Sequence, residues 1–457
     1  MTTPGVHDYQ SGMETLAQSM GLNYYPVEFE LVPPAFMMEV AVYGLPVRMP
    51  HWSFGVRYIY QMVQHRMGHS HIFEVVFPGN PGHAYLADSN SLAVNTLVLA
   101  HVLAHADFAR HNALFRRAQE QVGYHIVEQA AAHAHYIEDA IEEYGQQRVE
   151  QVLDAALALE QHIDDNQPLA RSDYTRAQAQ HTPPATRFRQ RFDDLKHEGS
   201  PQESRLEYVR EPIPPRPEYD LLWFIATQAP EMEDWERDIF LAVREESFYF
   251  HPVFQCQIIN EGWASYWHAR LLREADFLPA DLYLQAMKAH SDVVSPYAGD
   301  RQVALALNPY HLGFALWDRL FEDGSLDTAR KVMQEEDDTG FIRNHLDWEM
   351  AQRLGLFNYE QQGKGRVSVV EEQDIHVLHE NILAGKYHFG APRIHIEHVE
   401  DDGTLEMVHE HRTDGRGLDA AHAQKVLEYI QHIWRRPVTL HSVNAMGQDE
   451  DIKAGVG

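Results

Sequence analysis

Apolar residues recur at helical spacing along most of the chain. In "LAVNTLVLAHVLAHADFARHNALF" (92–115), apolar side chains such as Leu97, Leu103 and Phe108 are dense enough for a buried helix, and Ser91 or Asn90 can cap its start. Further helices are predicted at about 55–69, 119–144, 145–162, 219–228, 231–250, 255–276, 280–290, 309–322, 326–334 and 341–355. The chain is therefore expected to be mainly α-helical.

Several stretches interrupt this helical pattern. Residues 1–50 mix aromatic residues with prolines and are predicted to be irregular, and residues 80–92 are rich in turn residues and are predicted to form a loop. Between these stretches, "IFEVVF" (72–77) has the composition of a strand. Residues 164–218 are polar and rich in proline and arginine, so we predict a long excursion on the surface.

The pattern changes to alternation after "QQGKGRVSVV" (361–370). The segments "DIHVLHENIL", "RIHIEHVE", "TLEMVHEHR" and "VTLHSVN" alternate apolar and polar residues as strands do, and one helix is predicted at 419–435. The sequence thus predicts two domains, a large helical one over residues 1–360 and a small α+β domain over residues 365–449.

Composition and charge narrow the classes of partner. Hydrophobic residues make up 44% of the 457-residue chain, which is enough for a sizeable buried core. Asp and Glu number 68 and Lys and Arg 37, which gives a net charge of −31 with neutral histidine. A field of that sign repels phosphate backbones and anionic lipid headgroups, so nucleic acids and membrane surfaces are not expected as partners.

Sequence features that would indicate secretion or cofactor binding are missing. Cys256 is the only cysteine, which excludes an intrachain disulfide and a cysteine-based zinc site. The start of the chain lacks a signal-peptide pattern, and no run of about 18 apolar residues predicts a transmembrane segment. The phosphate-loop, dinucleotide-binding and serine-hydrolase motifs are also missing. A soluble cytoplasmic protein is expected.

The first chemistry-bearing stretch is "AHVLAHADFARHN" (100–112). His101 and His105 are four residues apart, so on a helix they face the same way and can chelate one metal ion, most readily zinc. This is also the spacing of the histidines in H-E-x-x-H zinc peptidases, but Val102 stands where those enzymes have a catalytic glutamate. The alternative is a pair of core histidines hydrogen-bonded to backbone or carboxylate groups.

The second stretch, "QCQIINEGWASYWHARLL" (255–272), contains a carboxylate among aromatic residues. Glu261 would be costly to bury there without a cation, and two histidines with one glutamate are the ligands of many catalytic zinc sites. His268 lies on the same helix face as Glu261. The alternative for Glu261 is a place at the helix start, after Asn260 as N-cap, where the helix dipole favours a negative charge.

A third stretch, "WERDIFLAVREESFYFHP" (235–252), holds the candidate general base. Glu245 and Glu246 lie between apolar residues in a helix that is predicted to end near Pro252, and one of the two is expected to face inward. Exposure to solvent is the alternative, more so for Glu245 than for Glu246. His133, on an Ala-rich helix, is a further candidate ligand or partner of a ligand, although a structural role is favoured for it.

Together these stretches resemble the stage V sporulation protein R (SpoVR) family. The resemblance rests on several long motifs that occur in order along the chain. They are "HWSFGVRY" (51–58), "NPGHAYLADSNSL" (80–92), "AHVLAHADFARHN" (100–112), "REESFYF" (244–250), "NEGWASYWHARLL" (260–272) and "NPYHLGFALWD" (308–318). It implies a cytoplasmic bacterial protein linked to spore cortex (peptidoglycan) assembly, often encoded beside a serine protein kinase of the PrkA type. "NEGWASYW" also resembles the third-ligand helix of some gluzincin-like metallopeptidases, which implies that Glu261 joins His101 and His105 as a ligand.

These observations lead to a functional hypothesis and to one alternative. A zincin-like helical domain would hold one divalent metal ion, zinc by preference, through His101, His105 and Glu261, with Glu246 or His268 carrying the proton. The predicted reaction is hydrolysis of an amide bond, in a peptidoglycan peptide or precursor. The alternative is a non-catalytic regulatory or scaffold protein that works with the PrkA-type kinase system, and Val102 favours it.

Overall fold

The computed structural model describes residues 5–66, 72–166, 213–295, 308–356, 359–361, 367–369, 374–415, 417–444 and 446–455. Within these residues the helices are α1 (His7–Ser19), α2 (Pro34–Tyr43), α3 (Trp52–Arg66), α4 (Leu92–His111), α5 (Ala113–Val122), α6 (Ile126–Tyr144), α7 (Gln146–Ala158), α8 (Leu221–Gln228), α9 (Asp234–Gln255), α10 (Gln257–Glu274), α11 (Ala280–Val293), α12 (Pro309–Asp323), α13 (Leu326–Glu335), α14 (Asp338–His345), α15 (Trp348–Arg353), α16 (Ile375–Leu383), α17 (His411–Asp414) and α18 (Ala420–Trp434). The strands are β1 (Val27–Val32), β2 (Glu74–Phe77), β3 (Gly82–Ala87), β4 (Tyr359–Gln361), β5 (Val367–Val369), β6 (Ile394–Val399), β7 (Leu405–His409), β8 (Val438–Val443) and β9 (Asp449–Ala454). The mainly helical fold with a small C-terminal sheet is confirmed.

The chain divides into two compact units. One unit contains Met1–Glu150 and Glu245–Ala391, and the other contains Gln151–Arg244 and Pro392–Gly457. The predicted domain boundary between residues 360 and 365 stays a prediction. Most of the predicted excursion at 164–218 lies outside the described residues, because the structure describes only its two ends, up to 166 and from 213.

The core of the first unit is built around α4. This helix packs against α10, α11 and α1, and most of its side chains are buried. The Ser91 hydroxyl accepts a hydrogen bond from the Val94 amide at 3.2 Å, so Ser91 is the cap of the two candidates, Ser91 and Asn90. By length and composition α4 is the one helix in the described ranges that would be apolar enough to cross a membrane, but it is mostly buried in the fold. A core helix of a water-soluble protein passes the same test.

Helices α10 and α12 cross at two glycines. A Cβ atom at Gly262 would overlap backbone atoms of Gly313, and a Cβ atom at Gly313 would overlap the carbonyl oxygen of Ile258. Beside this crossing the Trp263 and Trp317 rings pack edge to face at 4.9 Å. The close approach brings the start of α12 next to the face of α10 that carries the candidate ligand.

Helix α10 begins before Asn260, although the alternative interpretation of Glu261 had Asn260 as the N-cap of this helix. Cys256 is its N-cap residue, and Asp338 accepts hydrogen bonds from the amides of Ile258 at 3.0 Å and Ile259 at 2.9 Å. Asn260 is therefore not the N-cap. Glu261 lies in the second turn of the helix, so a helix-start role does not account for its position.

A three-stranded sheet lies in a region where the sequence predicted irregular chain and a loop. Strand β3 is the middle strand, parallel to β1 and antiparallel to β2. The predictions of irregular structure for residues 1–50 and of a loop for 80–92 are therefore wrong where α1, β1, α2 and β3 form. Strand pairing depends on residues distant in sequence, and Pro34 occupies the first position of α2, where proline is well tolerated.

Two other local predictions differ from the structure. The helix predicted at 119–144 is two helices, α5 and α6, because the chain turns at Gly123 with a φ of 88°. The segment "DIHVLHENIL", predicted as a strand, forms α16 in the first unit. Its larger apolar residues, Ile375, Leu378, Ile382 and Leu383, lie at positions i, i+3, i+7 and i+8, which is a helical spacing.

The second unit contains a four-stranded sheet in the order β6-β7-β8-β9. The β7/β8 pair is parallel, and the other two pairs are antiparallel. Helix α18 packs on β8 and β9 with Leu427, Ile430 and Trp434 buried. The strands and the helix that the sequence predicted over residues 394–443 are thus present.

Candidate metal centre

His101 and His105 meet on one face of α4, as their spacing predicted. Both are buried, and their Nε2 atoms are 3.0 Å apart. One histidine lies above the other on α4, and the two rings are nearly perpendicular, at 84°. Two nitrogen atoms so close would repel each other if both pointed an unshared lone pair at the other, so a cation or a proton is needed between them.

Glu261 projects from α10 to the same point. Its Oε2 atom is 3.4 Å from the Nε2 atoms of both His101 and His105, and it accepts no well-aligned hydrogen bond. Ligand atoms about 2.0–2.1 Å from a tetrahedral zinc ion are roughly 3.3–3.4 Å apart, which is close to these separations. Among the described residues, this trio is the group of three or more whose donor atoms lie within 4.8 Å of one another.

The outward-facing nitrogens of both rings have hydrogen-bonding partners. His105 Nδ1 is 2.9 Å from Asn260 Oδ1, an acceptor, so the neutral ring carries its proton on Nδ1 and its lone pair on Nε2. His101 Nδ1 is 3.0 Å from His268 Nδ1, and His268 Nε2 is 2.6 Å from His290 Nδ1. Such partners fix the tautomer and the orientation of a histidine that binds a metal.

Burial and neighbouring charges shape the ionisation of the cluster. Burial alone would raise the pKa of Glu261, but the charge on His105 and contacts with both histidines hold that pKa well below its usual range. Burial lowers the pKa of His105, and Glu261 more than reverses this, so the pKa of His105 is raised. Burial and the nearby His101 and His290 lower the pKa of His268 well below its usual range. His268 is therefore neutral, and it serves as a hydrogen-bonding partner of His101.

Two residues of the site were missed by the sequence analysis. Glu74, at the start of β2, has its Oε1 atom 3.8 Å from His101 Nε2, and burial raises its pKa. The nearby negative charge of Glu261 raises the pKa of the Tyr310 hydroxyl, and the Tyr310 ring stacks on His101 at 6.2 Å. The available signals were a single carboxylate in the strand "IFEVVF" and a tyrosine directly after the Asn308–Pro309 helix start.

The predicted base Glu246 lies in a different cluster. It is fully buried, 2.7 Å from Arg48 Nε and 3.3 Å from His133 Nδ1, and His133 Nε2 is 3.2 Å from Glu245. Helix α9 continues through Pro252 to Gln255, so the helix end predicted near Pro252 is wrong. Glu246 faces inward as expected, but its ion-pair partners are Arg48 and His133 and not the residues of the metal cluster.

A cavity of about 500 Å³ opens beside the cluster. Its lining includes His101, His268, Glu74 and Tyr310, and the remaining lining comes mainly from α4 and α11. A ligand in the cavity would therefore meet the cluster at His101, in company with Glu74 and Tyr310.

Comparisons with known proteins identify relatives along nearly the whole chain. The family model described as "SpoVR like protein" matches residues 1–389, and the model described as "SpoVR-like C-terminal domain" matches residues 392–445. The chain is 26% identical over 493 residues to "Uncharacterized protein YcgB" of Escherichia coli (strain K12), covering 97% of this chain and 92% of that protein. No solved structure matches.

Proposed function

The chain belongs to the SpoVR family, and on that premise we propose that it binds one divalent metal ion, zinc by preference, and hydrolyses amide bonds. The observation that carries the proposal is the convergence of His101 Nε2, His105 Nε2 and Glu261 Oε2 beside a cavity. Two histidines and one glutamate are a ligand set of catalytic zinc sites, which leave a position open for water or substrate. When bound, the ion would act as a Lewis acid on a substrate carbonyl and on water.

Glu74 replaces Glu246 in this proposal as the proton carrier. Its carboxylate is 3.8 Å from His101 Nε2 and lines the cavity, whereas Glu246 is held by Arg48 and His133. Glu74 would take a proton from the attacking water and deliver it to the leaving amine. In this way β2 would provide the carboxylate that Val102 cannot.

Two other residues orient the site in the proposed reaction. Tyr310 would donate a hydrogen bond to the carbonyl oxygen as negative charge develops there, because Tyr310 lines the cavity and lies near Glu261. His268, predicted as a second choice for the proton carrier, would instead hold His101 in the tautomer that leaves Nε2 free.

The finer expectations about context remain proposals. They are a zincin-like architecture for the helical body, a cytoplasmic location, a substrate that is a peptidoglycan peptide or precursor, and a PrkA-type serine kinase system as partner. The net charge of −31 favours substrates without added phosphate groups.

The second candidate function is a non-catalytic regulatory or scaffold protein whose metal site is structural. Val102 favours it, because this residue is apolar and fully buried at the place where H-E-x-x-H peptidases have their base. The two functions agree on metal binding and differ on turnover.

Metal binding is tested on protein purified without a histidine tag. We expect about one zinc ion per chain by inductively coupled plasma mass spectrometry, and loss of most of it in His101→Ala and Glu261→Ala. The matched control is His135→Ala, because His135 is a histidine with an 84% exposed side chain on α6. Equal zinc content in the wild type and in a His101→Ala/His105→Ala double variant would refute the metal site.

Turnover is tested with a mixture of muropeptides analysed by mass spectrometry. The zinc-loaded wild type should produce fragments that together gain the mass of one water molecule. Glu74→Gln should keep its zinc and lose at least about 100-fold in rate, because general base catalysis contributes about 10²–10⁴. Full zinc content with no turnover of any muropeptide or peptide in the wild type would favour the scaffold function.

A further inference from the structure

We propose that the cavity beside the metal cluster accepts a branched aliphatic side chain or acyl group and disfavours carboxylates. The substrates would then be neutral or cationic amides with an apolar group next to the scissile bond. This inference rests on the proposed metal-dependent function and names the substrate class of that site.

An apolar stripe on α4 leads to the cluster. Val94, Leu97 and Val98 line the cavity at positions i, i+3 and i+4, and His101 follows at i+7. A group lying along this stripe would reach the cluster at the ring of His101. The stripe is a property of one helix face, so it does not depend on how neighbouring loops are arranged.

Helix α11 provides the facing wall. Ala289, Asp292 and Val293 follow the same i, i+3, i+4 spacing, which brings them to one side of that helix. The two walls leave about 500 Å³, a volume within the range of about 300–1,000 Å³ found for small-molecule sites. The cavity can thus hold an aliphatic group together with the atoms of the amide bond.

The polar groups of the lining determine which charges are tolerated. His268 uses both ring nitrogens for His101 and His290, and the Asn308 side chain bonds to the backbone at Val293, Ser295 and Tyr310. The lining within the described residues includes two carboxylates, Glu74 and Asp292, and no Lys or Arg. Away from the metal cluster, an anionic group would lie near Asp292, and the described lining residues include no Lys or Arg to offset that charge, whereas an aliphatic or cationic group would not be repelled.

The test measures binding of three hydroxamates to the zinc-loaded full-length protein by isothermal titration calorimetry, so it does not depend on turnover. The probes are acetohydroxamic acid, 4-methylpentanohydroxamic acid and succinic monohydroxamic acid. We expect the 4-methylpentanoyl probe to bind about 10- to 100-fold more tightly than the acetyl probe, because it buries more aliphatic carbon. The succinyl probe should bind no more tightly than the acetyl probe.

Two variants test whether the residues that line the cavity cause the preferences among the three probes. Val94→Trp, at a half-buried lining position, should remove the advantage of the 4-methylpentanoyl probe, and Asp292→Asn should improve binding of the succinyl probe. Leu284→Trp is the matched control for the first variant, because Leu284 is 65% exposed on α11 and does not line the cavity. It should behave as the wild type.

The outcomes separate this inference from the proposed function. If zinc and all three hydroxamates bind with affinities that do not depend on the tail, the metal site stands and the substrate class is wrong. If the protein holds zinc but prefers the succinyl probe, the charge part of the inference is overturned. If zinc does not bind, the proposed function fails, and this inference fails with it.

Discussion

The protonation of single imidazole nitrogens determines what the site can bind. His105 places its proton on Nδ1, toward Asn260, and the Nδ1 atom of His101 faces His268. Each ring can then present a lone pair on Nε2 to the point that Glu261 also faces. The partners of the outward-facing nitrogens are therefore as important for metal binding as the three donor groups themselves.

His133 shows how two carboxylates affect a histidine outside the metal cluster. It lies between Glu245 and Glu246, at 3.2 Å and 3.3 Å. Burial lowers the pKa of His133, but hydrogen bonds with Glu245 and Glu246 outweigh that effect and raise the pKa to about 9. A raised pKa in the folded state stabilises the protein below the unfolded value of about 6.5. That contribution is lost as the pH rises through about 9.

We therefore predict that the stability of the wild type and that of the His133→Gln variant depend differently on pH. Between pH 6 and pH 10, the free energy of unfolding of the wild type should fall by about 1–2 kcal/mol more than that of His133→Gln. The expected size is smaller than the full pKa shift implies, because Glu245 is half exposed.

The measurement is urea unfolding at a series of pH values. His135→Gln, on the exposed side of the same helix, should keep the pH dependence of the wild type. Identical pH profiles for the wild type and His133→Gln would contradict the assignment of this ion-pair cluster.

At the scale of elements, the crossing of α10 and α12 positions the cluster. Gly262 follows Glu261 directly, and Gly313 is three residues after Tyr310, so the closest point of the crossing lies beside two residues of the site. Asp338 secures the start of α10 by accepting two of its free amide hydrogens. Small changes in the distance between the helices would therefore move a ligand oxygen relative to α4.

We predict that Gly313→Ala destabilises the protein. The new methyl group would overlap the carbonyl of Ile258, so the helices must separate, at a cost of about 1–3 kcal/mol in the free energy of unfolding. Zinc affinity should fall as well, because Glu261 and Tyr310 move with their helices. Urea unfolding and equilibrium dialysis measure the two effects.

Gly55→Ala is the matched control for this helix crossing. Gly55 lies within α3, and a Cβ atom there would have nothing within 4 Å. We expect this change to be neutral or to stabilise by up to about 1 kcal/mol, because alanine restricts the unfolded chain. Similar effects of the two substitutions would show that the close approach at Gly313 does not constrain the fold.

At the scale of the whole molecule, the acidic surplus acts on the folded state. A net charge of −31 makes the compact chain repel itself, and salt screens that repulsion. The same surplus favours cations, including a divalent metal ion, near the protein. The described residues also contain histidine–carboxylate pairs, such as His441 with Glu406 and Asp451, which reduce the repulsion between negative charges locally.

We predict that salt raises the melting temperature. Raising NaCl from 10 to 200 mM shortens the screening length from about 30 Å to less than 10 Å. At pH 8 this should raise the melting temperature by roughly 2–5 °C, measured by differential scanning calorimetry. The effect should shrink near the isoelectric point of about 5.3, where self-repulsion is small. A salt effect of the same size at both pH values would point to a cause other than net charge.

The sequence by itself determined those features that depend on neighbouring residues. Helical periodicity predicted α4, α10, α11 and α12, and the capping residue Ser91 predicted where α4 begins. The spacing of His101 and His105 required their side chains to share a face once α4 formed. Alternation predicted β6, β7 and β8 of the C-terminal sheet, but not β9. Each of these follows from bonds and contacts within a few residues of the chain.

Only the tertiary structure decided which distant groups meet. Glu261 was proposed as the third ligand partly by resemblance, whereas the proximity of Glu74, from β2, had no local signal strong enough to single it out. The place of Glu246 beside Arg48 and His133 was equally invisible, because nothing local distinguishes a carboxylate that pairs with an arginine from one that faces a cavity. Such choices depend on helix crossings and strand pairings between segments that are not neighbours along the chain, such as α10 with α4 and β1 with β3. Their physical basis is close packing: the glycine contact of α10 with α12 and the packing of α10 on α4 bring the polar side chains of these helices together.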